Sequence, residues 1–214
     1  MKKMNLVMVG NGMAGVRTLE EMLKIAPDQY NITVFGAEPY ANYNRILLSP
    51  VLAGEQTIKD IMLNDVDWYE ANDITLQLGK KISSIDRVNR LVITEDGDTA
   101  PYDRLLLATG SNPFMLPVPG RDLHNVISYR DIHDTNRMIE VSANAKHAIV
   151  IGGGLLGLDA ANGLMLRGMD VTVVHLMPWL MERQLDKSAG QLLQKSLQQR
   201  GLKFDSSVDR GEPF

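Results

Sequence analysis

Cysteine is absent from the 214 residues. That excludes disulfides, a catalytic thiol, a C-x-x-C redox pair and a cysteine-ligated iron–sulfur cluster within this chain. A strong charge of either sign is also missing. The net charge is −4, so there is no basic field to hold nucleic acid or an anionic membrane surface. Long apolar runs are lacking too. Lys2 and Lys3 precede a short apolar stretch at residues 6–9, but Gly10, Asn11 and Gly12 interrupt it, and Arg17, Glu20 and Glu21 follow. A signal peptide or a membrane span of about 20 residues needs more, and the cytoplasm is the default expectation. The four histidines, His124, His133, His147 and His175, show no metal-ligand spacing. What the chain does have is a globular composition, 44% hydrophobic and 22% charged, and 18 glycines whose placement carries information.

Residues 5–9 read as a buried strand, 13–25 as a helix with Val16, Leu19 and Leu23 at helical spacing, and 32–35 as a second strand. Such a β-α-β crossover makes two parallel strands. Residues 40–52 show no clear period. A short helix is expected at 65–71 and strands at 74–78, 81–86, 90–94 and 105–108. Three prolines and a glycine between Asn112 and Gly120 mark a connector, which places a domain boundary near residue 117. The pattern then repeats about 140 residues later, too long a period for a solenoid. There is a strand at 147–151, a helix at 155–167 and a strand at 171–174. A helix capped by Asp186 carries Leu192, Leu193 and Leu197 on one face, and a last strand begins at 202. Asp131, Asp134 and Glu140 read as a solvated helix face, and Trp68 and Trp179 as packing residues. The expected fold is α/β, with two Rossmann-like dinucleotide-binding units built on parallel sheets. The second unit is incomplete, and a small antiparallel β element belongs to the first.

The chemistry lies in two G-x-G-x-x-G motifs, each between a strand and a helix: Gly10, Asn11, Gly12, Met13, Ala14, Gly15, and Gly152, Gly153, Gly154, Leu155, Leu156, Gly157. In such a loop the first glycine makes the turn, the second lets a pyrophosphate approach the backbone, and the third lets helix and strand pack closely. The helix N-terminus offers free N–H groups and a positive dipole end. An acidic residue about 20 positions on usually holds the ribose. Glu38 is the nearest carboxylate in the first unit, as ribose ligand or as solvated loop acid. In the second unit His175 stands at the equivalent place, as cofactor ligand or as strand-end packing. A histidine does not repel a 2′-phosphate as a carboxylate would, so this position does not choose between NADH and NADPH.

The two motifs, with Ala108-Thr109-Gly110 and Pro117-Val118-Pro119-Gly120 between them, resemble the FAD-dependent pyridine nucleotide–disulfide oxidoreductase superfamily. The resemblance runs to about residue 207. It implies that residues 1–117 bind FAD, with Thr109 and Gly110 returning near it, and that residues 118–214 are a partial NAD(P)H-binding domain. Glu38-Pro39-Tyr40-Ala41-Asn42-Tyr43-Asn44-Arg45-Ile46-Leu47-Leu48-Ser49-Pro50 narrows this, with Leu158 after the second motif and Met181-Glu182-Arg183-Gln184-Leu185-Asp186. These are similar to the N-terminal region of assimilatory NAD(P)H nitrite reductase large subunits. Related ferredoxin and rubredoxin reductases carry a lysine where Pro50 stands. By this resemblance Arg45 lies near the FAD pyrophosphate, a task suited to its planar fork; an ordinary ion pair is the other reading. Asp159 replaces a glutamate near the nicotinamide, and either holds that ring less well or faces solvent.

The resemblance further implies partner iron–sulfur and siroheme domains elsewhere, and is compatible with a homodimer. The last residues, 206–214, do not resemble the family's return strand and Gly-Asp motif, so a truncated chain is expected. The expected activity is hydride transfer from NAD(P)H to FAD, with no side chain acting as acid, base or nucleophile. The alternatives are a nucleotide-binding fragment without catalysis and a ferredoxin or rubredoxin reductase-like flavoprotein.

Overall fold

The computed structural model describes residues 3–205; the 206–214 stretch lies outside the described residues. The chain divides into two compact units. One comprises the residues up to Arg45 with Ile61–Asn112; the other comprises Ile46–Asp60 with the residues from Pro113 onward. The change of unit thus falls at Asn112, where the expected connector begins and a few residues before the boundary placed near residue 117, and the aperiodic Ile46–Asp60 segment belongs to the second unit. Strands and helices are numbered along the whole chain.

In the first unit β1 (Met4–Val9), α1 (Met13–Ile25) and β2 (Tyr30–Gly36) form the expected crossover. A short antiparallel pair follows from β3 (Asn42–Tyr43) and β4 (Met62–Asn64), then α3 (Val66–Ala71) and β5 (Ile74–Leu78). After the antiparallel strands β6 (Ile82–Asp86), β7 (Leu91–Thr94) and β8 (Thr99–Pro101), β9 (Arg104–Leu107) returns to the parallel sheet, whose order is β5-β2-β1-β9. A central parallel strand is buried on both faces and so reads as a continuous apolar run, which is the character of β1. Leu6 and Met8 pack with Val16 and Leu19 of α1, while Val7 and Val9 pack with Phe35 and with Val92 of β7. The antiparallel layer therefore covers the face that α1 leaves open.

In the second unit α2 (Leu48–Ala53) and α4 (Ile132–Ser142) accompany β10 (His147–Ile151), α5 (Leu155–Leu166), β11 (Asp170–Val174), α6 (Lys187–Gln199) and β12 (Lys203–Asp205). The parallel sheet is β10-β11-β12. Its core joins Val171 and Val173 with Leu158 and Leu164 of α5, Leu197 of α6 and Leu52 of α2. Ile149 and Ile151 point the other way and are 72% and 61% exposed. They precede Gly152 as Val7 and Val9 precede Gly10, and those two residues are 1% and 7% exposed.

Helix α2 is the element that periodicity misses, since six residues give too short a window. Pro50 sits in its first turn, where no backbone N–H is needed. Arg167, the C-cap of α5, donates to the carbonyls of Leu52 and of Val51, the latter at 3.1 Å. A Cβ on Gly163 would lie 2.7 Å from Leu52 Cγ, so this glycine makes the seat for α2. Arg167→Ala removes a cationic donor from two carbonyls and is expected to cost about 1.5–3 kcal/mol for each charged hydrogen bond lost, less where water replaces it. Urea unfolding checks this, and an unchanged midpoint would show that the contact holds nothing.

Two details correct the sequence reading. Asp131 caps α4 by accepting from the Asp134 N–H at 2.8 Å. Asp134 accepts from the Ser128 hydroxyl and the Arg130 N–H, and burial pushes its carboxyl above the usual range. These two acids hold a helix start, and of the three only Glu140 is exposed. Leu192 is also exposed, while Leu193 and Leu197 pack. Among the described residues no helix is long and apolar enough to cross a membrane.

Candidate functional site

In the first unit β1 ends at Gly10, whose φ of +105° belongs to glycine and whose N–H donates to the Phe35 carbonyl at 2.8 Å. A Cβ there would fall onto the Ala108 carbonyl, beside Thr109. The turn is thus built against the chain leaving β9, and Gly10 is brought close to Thr109, with Gly110 next in the chain. Gly12 is the N-cap of α1 and carries no side-chain cap, and a Cβ on it would meet nothing within 4 Å. The helix start at Met13, Ala14 and Gly15 therefore keeps its dipole end open to an incoming anion. Gly15 serves packing: its Cβ would lie 2.9 Å from Ala108 Cβ and Met8 Sδ.

The predicted ribose and pyrophosphate residues are joined to each other. Glu38 accepts from the Tyr43 hydroxyl at 2.8 Å and pairs with Arg45 at 2.5 Å. The Arg45 guanidinium also lies 5.0 Å above the Tyr43 ring. Sequence reasoning missed what orders the loop itself. Asn11 Oδ1 accepts from the Tyr69 hydroxyl at 2.7 Å, and the Asn11 carbonyl accepts from Asn42 Nδ2 at 3.1 Å. Tyr69 lies 58 residues away in sequence, and no local pattern announces such a partner.

Burial pushes the Tyr69 phenol up to about 12 from 10.0. A phenol that resists ionisation in the fold adds stability that is complete below pH 10 and falls away between 10 and about 12. Tyr69→Phe is therefore expected to flatten that alkaline limb and to lower neutral-pH stability through the lost bond to Asn11. Thermal melts from pH 8 to 12 measure both, and a limb that persists in the variant would refute the assignment.

In the second unit Gly152, with φ +118°, donates to the Val174 carbonyl at 2.9 Å, as Gly10 does to Phe35. Gly154 is the uncapped N-cap of α5, with open space where its Cβ would be. Leu155 and Leu156 follow, both exposed. A Cβ on Gly157 would overlap the Gly152 carbonyl, so the third glycine again permits close packing.

The middle residue shows an exchange between the two units. In the first, Asn11 fills space over Gly36, whose Cβ would lie 3.1 Å from Asn11 Cβ. In the second, the strand-end residue is His175 and the loop residue is Gly153, whose Cβ would lie 2.8 Å from His175 Cγ. The side chain has moved from the loop to the strand end. Gly153 donates its N–H to His175 Nδ1 at 3.0 Å, and His175 Nε2 faces the Trp179 carbonyl at 3.0 Å. Trp179 packs and donates to the Leu185 carbonyl. Asp159, on the first turns of α5, accepts from the Ser49 hydroxyl at 3.0 Å, and Ser49 in turn accepts from the Tyr129 hydroxyl at 3.3 Å. Sequence reasoning did not connect these three, and burial raises the Tyr129 phenol.

Both loops fit a dinucleotide. Each has a glycine turn, an uncapped helix start and a second glycine whose missing side chain leaves room for phosphate. The family model for pyridine nucleotide-disulphide oxidoreductases matches residues 4–210. The chain is 57% identical over 204 residues to a nitrite reductase [NAD(P)H] of Bacillus subtilis, covering 95% of this chain and 25% of that protein. It is 48% identical to an assimilatory nitrate reductase electron transfer subunit of the same organism, covering 95% of this chain and 26% of that one. The crystal structure of NADH:rubredoxin oxidoreductase from Clostridium acetobutylicum superposes with a TM-score of 0.84 at 30% identity, covering 95% of this chain and 52% of that one. The chain thus spans about a quarter of the length of the first two relatives.

Proposed function

Since the chain belongs to the pyridine nucleotide-disulphide oxidoreductase family, we propose that it is the electron-entry part of an NAD(P)H-dependent nitrite reductase. In this reading the first unit holds FAD and the second holds NAD(P)H. The observation that carries it is the pair of independently built glycine loops, each facing open space at an uncapped helix start. The higher identity to the nitrite reductase than to rubredoxin oxidoreductases favours that branch. With no cysteine in the sequence, disulfide exchange is not open to this chain's own side chains.

Bound FAD supplies the redox chemistry by accepting a hydride from the nicotinamide. The chain's part is to bind and to orient. The N–H groups at Met13, Ala14 and Gly15 receive one pyrophosphate, and those at Leu155, Leu156 and Gly157 receive the other. Glu38 takes the FAD ribose, with Arg45 beside it as the cation for phosphate, and Thr109 and Gly110 border the same loop. Asp159, tied to Ser49, steadies the nicotinamide side of α5. Iron–sulfur and siroheme centres outside this chain would take the electrons onward, in keeping with the much greater length of its relatives.

Purified protein is expected to be yellow, and its flavin absorbance should bleach with NADH or NADPH under anaerobic conditions. A protein that gains no flavin absorbance when incubated with FAD would refute the reading of the first unit. Flavin that binds but is not bleached would refute hydride transfer.

A further inference from the structure

We propose that Glu182, beside His175, makes the second unit select NADH over NADPH. The proposal rests on the reading of that unit as the NAD(P)H site. In such a unit the 2′ position of the adenosine ribose is read from the end of the second strand, where a carboxylate accepts from a hydroxyl and a cation takes a phosphate. Here that strand is β11, and the residue after it is His175.

His175 has no capacity left for a phosphate. Its Nδ1 accepts the Gly153 N–H at 3.0 Å, so the ring proton sits on Nε2. That nitrogen faces the Trp179 carbonyl at 3.0 Å and the Glu182 carboxylate at 3.4 Å. The ring is wedged against Gly153, and its side chain is only 13% exposed. It therefore acts as a fixed post that holds the loop on one side and the Trp179 carbonyl on the other, and the Met181 N–H, just before Glu182, donates to the Gly153 carbonyl at 3.0 Å.

Glu182 supplies the charge at this end of the strand. Its side chain is 23% exposed, enough to meet a ribose hydroxyl. A carboxylate there accepts from a 2′-hydroxyl and repels a 2′-phosphate, a repulsion strengthened by partial burial. The competing group is Arg183, the next residue, whose guanidinium could take a 2′-phosphate. Arg183 is exposed and has no partner among the described residues, whereas the Glu182 carboxylate lies 3.4 Å from His175 Nε2 at the strand end.

Calorimetry of the full chain with ADP-ribose and with 2′-phospho-ADP-ribose tests this without requiring flavin reduction. The wild type should bind ADP-ribose tighter by about tenfold or more. Glu182→Gln should narrow that preference by about fivefold or more, chiefly by tightening the phosphorylated ligand. Glu182→Asp, which keeps the charge, should retain the preference, and Arg183→Gln should leave it unchanged. A wild type that prefers the 2′-phosphate, or a preference that moves with Arg183 and not with Glu182, would overturn the selection. So would an equal loss of both ligands in Glu182→Gln, which would mark a purely structural contact. Binding of neither ligand by the wild type would instead overturn the nucleotide reading of the unit, and the selection with it.

Discussion

Gly157→Ala is expected to unseat the start of α5 and to remove nucleotide binding from the second unit. By helix propensity alone the change should stabilise the protein by about 1 kcal/mol, because alanine is the better helix former. Packing opposes this. The added methyl would overlap the Gly152 carbonyl oxygen, a backbone atom that cannot yield as the end of a flexible side chain would. Overpacking of this kind costs about 1–3 kcal/mol or more, so the clash outweighs the propensity gain. Gly154→Ala separates binding from folding. Its backbone is extended, with φ −86° and ψ 179°, and a Cβ there meets nothing. The variant should fold nearly as the wild type does, yet place a methyl where a pyrophosphate would approach. A clash of about 1.4 kcal/mol would weaken binding about tenfold. Urea unfolding and ADP-ribose calorimetry on both variants give the answer. A Gly157→Ala protein as stable as the wild type would disprove the packing account, and full affinity in Gly154→Ala would disprove the position of the phosphate.

In the first unit Gly10→Ala should be still more damaging. The backbone at φ +105° strains an L-residue by about 1–3 kcal/mol. The new Cβ would also press on the Ala108 carbonyl and reach within 2.9 Å of Thr109 Cα. Since β1 and β9 are paired neighbours through Val9 and Leu107, relief requires the chain just after β9 to shift against the loop. The variant is expected to purify without flavin and to unfold at lower denaturant. Gly12→Ala, at an extended N-cap with open space, should keep its stability and lose flavin affinity alone. Flavin absorbance per protein, set beside the unfolding midpoint, distinguishes the two. A yellow Gly10→Ala protein of normal stability would contradict the structure of the turn.

Much of the frame is legible in the letters. The helix expected at residues 13–25 is α1, and the strand expected at 147–151 is β10. Asp186 caps α6 by accepting from the Ala189 N–H at 2.8 Å. These features rest on interactions within a few residues, which periodicity and capping chemistry register directly. The site was legible as loops but not as contacts. Glu38 and Arg45 were named separately and turn out to be paired. His175 was named as a ligand candidate, and both its ring nitrogens face protein atoms. Neither outcome could be read from spacing, because each depends on how an irregular loop closes.

Sequence by itself determined that two strand–glycine–helix units exist, that these 214 residues supply no thiol, and where the helix behind each glycine loop begins. Those conclusions follow from local backbone chemistry and from composition. Tertiary structure alone decided which side chain fills the space behind each loop: Asn11 over Gly36 in one unit, His175 over Gly153 in the other. It also decided that Leu52 and its neighbours pack with α5, and that Val7 and Val9 are covered while Ile149 and Ile151 are open. The β-branched, apolar residues at those four positions look alike in sequence. What differs is the layer that β7 lays over the first pair, and such a layer comes from residues more than eighty positions away.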